Sequence, residues 1–484
     1  MQKGLELFWL LMGRASLAMA LVLLIPSVAA GMAREAVYPY LLPAVFAGFL
    51  GAAFSAMGRQ HARQLNMREG AYFMFGIWIL IGFLGSLPYL LTGTAATFVE
   101  AVFESLSALT TTGVTCLPPG AGDRPLLLWH SLLAWFGGLG FVIVLVTVLP
   151  QVSGCFGITL SARQSIFFSP VWHKMNESMH QGASVYIVLT LLAWILFYAA
   201  GLNGFGAFIH ALTGISSGGS STDFSFLWHG SPALELAAAA VMLLSCLNLL
   251  LCWKAWQRRS LRMLWRDGEL RTLLAFLFAA GLLVSLHLWH QDVYASFAES
   301  LRYGYFQVLS FASTSGFVAA DFAVWPEFDK YLLLLLVFVG GCIGSTTGGM
   351  KVMRFLVLFR MMTAEFRRTL HPHMVISVKV DGLPVPMKII SRILSFFFLY
   401  MLIFIAFSLV LSLSGITLMQ AMSIAAGCLS STGSTVALYQ APPFFLLPGW
   451  ALAVCTVLMI LGRIEIFSFF ILLDLGAHLF RSHW

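Results

Sequence analysis

Four short stretches gather the chain's small oxygen-bearing residues around a glycine: 110–114 (TTTGV), 216–220 (SSGGS), 313–317 (STSGF) and 430–434 (SSTGS). None holds a carboxylate, an imidazole or a thiol, so the chemistry on offer is neither acid–base nor nucleophilic. It is coordination by neutral oxygen, from backbone carbonyls and from the hydroxyls of Thr110, Thr111, Thr112, Ser216, Ser217, Ser313, Thr314, Ser315, Ser430, Ser431 and Thr432. A ring of such oxygens can replace the hydration shell of a desolvated cation. Glycine belongs in it because a carbonyl ladder turned inward demands backbone angles that a Cβ resists. A single loop of this kind reads equally well as an exposed turn; four in register do not.

The elements that must position these loops repeat with them. Sixteen positions before Gly113, Gly219, Gly316 and Gly433 stand Thr97, Asn203, Ser300 and Thr417. Each can accept from the free N–H groups of a first helical turn. Thr97 with Glu100 and Thr417 with Gln420 have the spacing of a capping box. Twelve positions before the glycines are Ala101, Ala207, Gly304 and Ala421, and six before are Ser107, Thr213, Ser310 and Gly427. Small residues there let a helix pack closely inside a membrane. Each copy is therefore predicted to be a cap, a helix of about a dozen residues, roughly 18 Å long, and a polar glycine turn.

Composition sets the solvent. The chain has 484 residues, 60% hydrophobic and only 10% charged, far from the balance of a soluble domain. Apolar spans of about 20 residues fall near 9–30, 38–57, 70–92, 126–150, 183–202, 231–253, 272–291, 331–360, 388–413 and 446–473. The last eight bracket the four short helices. The predicted fold is an all-α integral membrane protein of four parallel span/pore-helix/filter-loop/span repeats around one pore, preceded by a two-helix hairpin. The divisions are 1–68 for the hairpin, then 69–180, 181–270, 271–386 and 387–484 for the pore repeats, the third with an intramembrane gate loop. The first span superficially resembles a signal peptide ending in SVAA, but 38–57 pairs with it as a retained hairpin.

Topology follows from the basic residues. Arg59, Arg63 and Arg68, then Arg163 and Lys174, then the run from Lys254 to Arg271, then Lys351 to Arg392, alternate with segments holding only Arg34, Arg124, Arg302 and Lys330. The positive-inside rule makes the first set cytoplasmic together with both termini, and turns the four glycine loops outward. The formal charge of +7 sits in these connections and forms no aromatic-interleaved patch, which argues against nucleic acid. Seven scattered cysteines have no metal-ligand spacing, and no hydrolase or metalloprotease motif is present, so the chain is read as a transporter rather than an enzyme.

Four further segments join the first loop: FESLSAL before TTTGVT, WFGGLGF at 135–141, GGCIGSTTGGMKV at 340–352 and LGRIEIF at 461–467. Together they resemble the pore subunit of Trk-type potassium uptake systems, in a superfamily with the Ktr and plant HKT transporters, over essentially the whole chain. The resemblance implies potassium ion as cargo, uptake across the inner (cytoplasmic) membrane, a homodimer surrounded by membrane lipid, and a cytosolic nucleotide-binding ring that gates the pore. It places the filter at Thr110, Thr111, Thr112, Gly113, Val114, Ser217, Gly218, Gly219, Ser220, Thr314, Ser315, Gly316, Phe317, Ser431, Thr432, Gly433 and Ser434. Four filter glycines go with potassium in this family, and serine at the first with sodium. The serines at 217, 220, 315 and 434 depart from its usual flanks, so a poorly selective potassium/sodium channel stays open, as does a symporter with sodium or protons. The latter lacks inverted repeats and midplane carboxylates.

Gly344, Ser345, Thr346, Thr347, Gly348 and Gly349 interrupt the 331–360 span. Met350 stands where a phosphate-binding loop needs lysine, and no strand precedes it, which excludes a nucleotide site. The choices left are a packing kink or, as the family implies, an unwound gate under the third filter. Lys351 borders this break. Arg463 lies mid-span, where a charge is expensive and usually functional, and Glu465 follows it; these three complete the gating set. Glu104 is expected at the outer mouth, and His130 and His210 as polar packing residues.

Overall fold

In a bilayer every backbone N–H and C=O must be paired within the protein, so the apolar spans fold as helices. The computed structural model describes residues 2–58, 67–118, 120, 122–147, 171–219, 230–371, 377–380 and 382–464. The N-terminal hairpin is α1 (Gln2–Ala33) and α2 (Tyr38–Met57). Repeat 1 holds α3 (Met67–Leu91), α4 (Phe98–Leu109) and α5 (Arg124–Thr147). Repeat 2 holds α6 (Val171–Ala199), α7 (Gly204–Ile215), α8 (Pro232–Ser245) and α9 (Leu249–Gln257), with α10 (Arg262–Arg266) in the basic link. Repeat 3 holds α11 (Gly268–His290), α12 (Phe297–Ala312), α13 (Glu327–Leu336) and α14 (Val352–Leu370). Repeat 4 holds α15 (Met387–Ser412), α16 (Leu418–Ser430), α17 (Thr435–Leu438) and α18 (Gly449–Ile464).

This is an all-α membrane fold. Six described helices are long and apolar enough to cross a membrane, and the α8/α9 pair makes a seventh if it counts as one span. Among the described residues the strands are the two-residue pair Lys379–Val380 and Leu383–Pro384. The short helices α4, α7, α12 and α16 pack inside the ring of longer ones. Neighbouring repeats meet in chain order: α5 packs on α7, α8 on α12, α13 on α17, and α18 back on α4. The small residues predicted at the packing faces are buried, and a methyl on Gly304 would press on Ser285, with its Cα at 3.2 Å.

Three expectations change. The third short helix begins a turn early: its cap is Ser296, whose hydroxyl accepts from the Glu299 N–H at 3.2 Å, while Ser300 lies inside the helix with its hydroxyl on the Ser296 carbonyl. The two serines four residues apart both suit a cap, and the chain uses the one that adds a turn of α12. At the first helix Thr97 caps the Glu100 N–H, but Glu100 reaches past Thr97 to the Ala96 N–H at 2.9 Å; the reciprocal box is complete only at Thr417 and Gln420.

The third change concerns 231–253, which is not one span. It bends by 89° between α8 and α9. Asn248 caps α9 through the Leu250 and Leu251 N–H groups, and two more backbone groups at the break pair with the repeat 3 loop. Cys342 donates to the Cys246 carbonyl and Leu249 donates to the Gly344 carbonyl, each at 3.1 Å. The 331–360 span breaks as expected, but over all of 337–351. Ser220, Glu465, Arg59, Arg63 and Arg163 lie outside the described residues.

Candidate functional site

The four short helices end alike. In each, the residue two before the glycine takes a left-handed conformation: Thr111 (φ 58°), Ser217 (φ 54°), Thr314 (φ 55°) and Ser431 (φ 58°). The next N–H then turns back to the carbonyl six before the glycine: Thr112 to Ser107 at 2.9 Å, Gly218 to Thr213 at 2.8 Å, Ser315 to Ser310 at 3.1 Å and Thr432 to Gly427 at 2.8 Å. This is the helix-ending turn in which glycine is usual at the left-handed position. Here it holds a hydroxyl residue at roughly 1–2 kcal/mol of conformational cost each, a pattern of strain concentrated at functional loops.

The glycines form a closed ring. Gly113, Gly219 and Gly316 have φ of 71°, 73° and 73°, where a side chain is disfavoured. A methyl on Gly219 would lie 3.3 Å from the Gly113 Cα and 3.5 Å from the Ser315 carbonyl oxygen. One on Gly316 would lie 3.6 Å from the Gly219 Cα and 3.7 Å from the Gly433 N, and one on Gly433 would lie 3.0 Å from the Gly113 carbonyl oxygen. A methyl on Gly113 would overlap the Gly218 carbonyl oxygen outright. Each of these glycines thus faces the next in sequence, and the last faces the first. Gly433 departs in one respect: its φ is not positive, because the chain passes at Ser434 straight into α17.

The hydroxyls around the ring are buried. Thr110 bonds back to the Leu106 carbonyl at 2.7 Å and meets the Thr112 hydroxyl at 2.8 Å. Ser217 turns onto the Ser216 carbonyl, and Ser315 meets Ser313. The hydroxyls of Thr111, Thr432 and Ser434 have no hydrogen-bond partner among the described residues. Val114 and Phe317, one past their glycines, direct their carbonyls onto the Ser107 and Ser310 hydroxyls of the short helices.

The loop 337–351 lies against the short-helix ends that carry this ring and is tied to three repeats. Thr346 donates to the Ile215 carbonyl at 2.8 Å and to the Ser245 carbonyl at 3.3 Å. The Gly348 N–H donates to the Thr314 hydroxyl at 2.8 Å, and a methyl on Gly348 would strike the Ser430 carbonyl. The loop's base is held by Glu269, which accepts from the Ile343 N–H at 2.8 Å. Gly344 and Gly349 sit at φ of 80° and 70°. Lys351 is buried and folds back on its own loop, donating to the Ser345 and Thr347 hydroxyls at 3.0 and 2.7 Å and to the Thr347 carbonyl.

Arg463 reaches the same place from α18. Its Nη1 donates to the Thr346 carbonyl at 3.1 Å, while Nε and Nη2 have no partner among the described residues. The guanidinium lies 4.0 Å from the centre of the Phe141 ring, and the Lys351 ammonium 5.7 Å from it. Two basic side chains therefore converge on one aromatic ring beside the loop.

Three features were missed in the sequence. Gly137 and Gly462 each let a span ride directly on a short helix, on the Leu109 and Leu429 carbonyls, both four before a ring glycine; WFGG and LGR carry that signal, and the register sets Arg463 where repeat 1 has Gly138. The break before α9 was legible in Asn248, a helix cap inside an apolar run. Glu104 is not at an outer mouth: it is buried behind the first loop, accepting from the Cys116 N–H at 3.1 Å with His130 at 3.4 Å.

A multi-pass helical protein whose four glycine loops meet in one closed ring belongs with ion-transport proteins rather than enzymes. The family model described as "TrkH: Cation transport protein" matches residues 43–476, and the chain belongs to that family. It is 35% identical to the Trk system potassium uptake protein TrkH of Halomonas elongata over 429 residues, 87% of this chain and 88% of that one. It is 33% identical to TrkH of Escherichia coli K12 over 423 residues, 86% of each. The crystal structure of the potassium transporter TrkH from Vibrio parahaemolyticus matches it with a TM-score of 0.87 at 30% identity, covering 98% of this chain and 99% of that one.

Proposed function

We propose that this chain takes up potassium ion across the cytoplasmic membrane, both termini on the cytoplasmic side, through the ring at Gly113, Gly219, Gly316 and Gly433. The observation that carries the reading is ring closure: four loops that share one left-handed turn before the glycine, each glycine against the next, supported by relatives named as Trk potassium uptake proteins. Irregular backbone at membrane depth is tolerated only where it is buried or lines a cavity, and neutral oxygens suit a monovalent cation. The unpartnered hydroxyls of Thr111, Thr432 and Ser434 are further oxygens for it.

The 337–351 loop is the gate in this reading, with Lys351 and Arg463 as its electrostatic element. The working assembly is a homodimer that docks a cytosolic nucleotide-binding ring on its basic face. Expression in a host lacking its own potassium uptake tests the core of the proposal. Growth at low potassium with rubidium uptake is expected; a well-expressed chain that restores neither would overturn it.

A further inference from the structure

We propose that in repeats 1 and 3 the residue nine positions before the filter glycine is the positioning residue that latches the outgoing limb of its loop, and that repeat 4 has no such latch. Glu104 and Gln307 occupy this position in repeats 1 and 3. Glu104 Oε2 accepts from the N–H of Cys116, three past Gly113, at 3.1 Å. Gln307, with its amide turned so that the oxygen rather than the NH2 faces the limb, the orientation that satisfies both groups, accepts from the N–H of Ala319, three past Gly316, at 2.7 Å, and from Ala320 at 3.2 Å.

The second rung of each latch is the serine one helical turn on. Ser107 and Ser310 donate to the carbonyls of Val114 and Phe317, one past the glycine. The spacing is physical: residues three apart share one helix face, and in an extended limb the C=O of one residue and the N–H of the residue two later point to the same side. A helix face carrying an acceptor and then a hydroxyl therefore matches one edge of the limb. Both side chains are buried, Glu104 at 2% exposure and Gln307 at 0%, and Glu104 is itself braced by His130 Nδ1, which lies 3.3 Å from the Tyr89 hydroxyl.

Repeat 4 breaks the rule on both sides at once. It has Ile424 and Gly427 where repeats 1 and 3 have the acceptor and the serine, and beyond Gly433 the chain coils into α17 instead of extending. Repeat 2 carries His210 and Thr213 at these positions, and the limb that would face them lies outside the described residues. Since neighbours in the ring follow chain order, the two latched loops sit diagonally. They hold the carbonyls of opposite quarters of the ring at fixed height.

This inference rests on the loops being a cation filter, and the test separates the two. The purified full-length chain in liposomes is assayed for rubidium uptake with sodium as competitor. Glu104→Met and Gln307→Met remove the acceptor while keeping the volume, and each is expected to lower the rubidium/sodium discrimination at least about tenfold, as a buried N–H loses its partner. Glu104→Gln is expected to retain the unsubstituted ratio within about twofold, because Gln307 shows that an amide oxygen makes the same bond. Ile424→Leu is expected to leave the ratio unchanged.

Folded Met variants that keep the unsubstituted ratio overturn the latch alone, as does a Glu104→Gln protein that loses discrimination. If Glu104→Met yields no folded protein, Gln307→Met and Glu104→Gln carry the same two outcomes. Absence of rubidium uptake by the unsubstituted chain overturns the filter reading and the latch with it.

Discussion

Replacing the ring glycines one at a time should not give equal effects, and the geometry predicts which of Gly113 and Gly316 is the more sensitive. At Gly113, φ of 71° places any L-residue in a region that costs about 1–2 kcal/mol, and the new Cβ overlaps the Gly218 carbonyl oxygen, so that carbonyl must shift. At Gly316, φ of 73° carries the same conformational cost, but the nearest atoms stand at 3.6 Å, ordinary contact, and no carbonyl needs to move. Serine at 113 should therefore distort the ring and serine at 316 should mostly strain its own loop.

With 1.4 kcal/mol per factor of ten, a displaced carbonyl that loses one such increment of discrimination lowers the potassium/sodium ratio about tenfold. Gly113→Ser is expected to reach that, and Gly316→Ser to change the ratio by no more than about threefold. Competition of sodium against rubidium uptake measures it, with alanine at both positions to separate Cβ from hydroxyl effects and detergent melting to confirm folding. Equal losses at the two sites, or the larger loss at 316, would refute the steric argument.

Gly348→Ala should raise flux with the ion ratio unchanged, because a methyl meeting the Ser430 carbonyl forces the loop out from under the ring; a changed ratio at constant flux would make the segment filter rather than gate. Thr346→Val removes the one hydroxyl donor shared between the Ile215 and Ser245 carbonyls and should act in the same direction, more weakly, in the same flux assay. Arg463→Ala should raise flux by up to about a hundredfold, since two unit charges at about 6 Å and an effective dielectric of about 20 repel by roughly 3 kcal/mol. Arg463→Lys should largely keep the restriction, and a folded alanine variant with unaltered flux would rule out an electrostatic barrier.

What the sequence made legible follows from which constraints are local. The four glycines were readable because positive φ at Gly113, Gly219 and Gly316 and close approach at Gly433 leave few alternatives, and the caps at Thr97, Asn203 and Thr417 because one hydroxyl or amide meets one turn of N–H groups. Ser296 was missed since Ser300 satisfies the same rule a turn later, and only tertiary packing decides between them. The break before α9 and the seat it makes for 340–349 involve segments about a hundred residues apart, as in the Thr346 bond to Ser245. The shift of Glu104 from mouth to loop support is also tertiary: its partner Cys116 lies across the filter turn, and its own helix face is generic.

The central claim is conduction of potassium through one ring of neutral oxygens, and the most direct measurement is ion flux into liposomes containing only the purified chain. Rubidium uptake is expected to follow its electrochemical gradient in symmetrical pH and without sodium, and to lose discrimination in Gly113→Ser. Uptake that requires a sodium or proton gradient, or that keeps full discrimination in the folded Gly113→Ser protein, would contradict it.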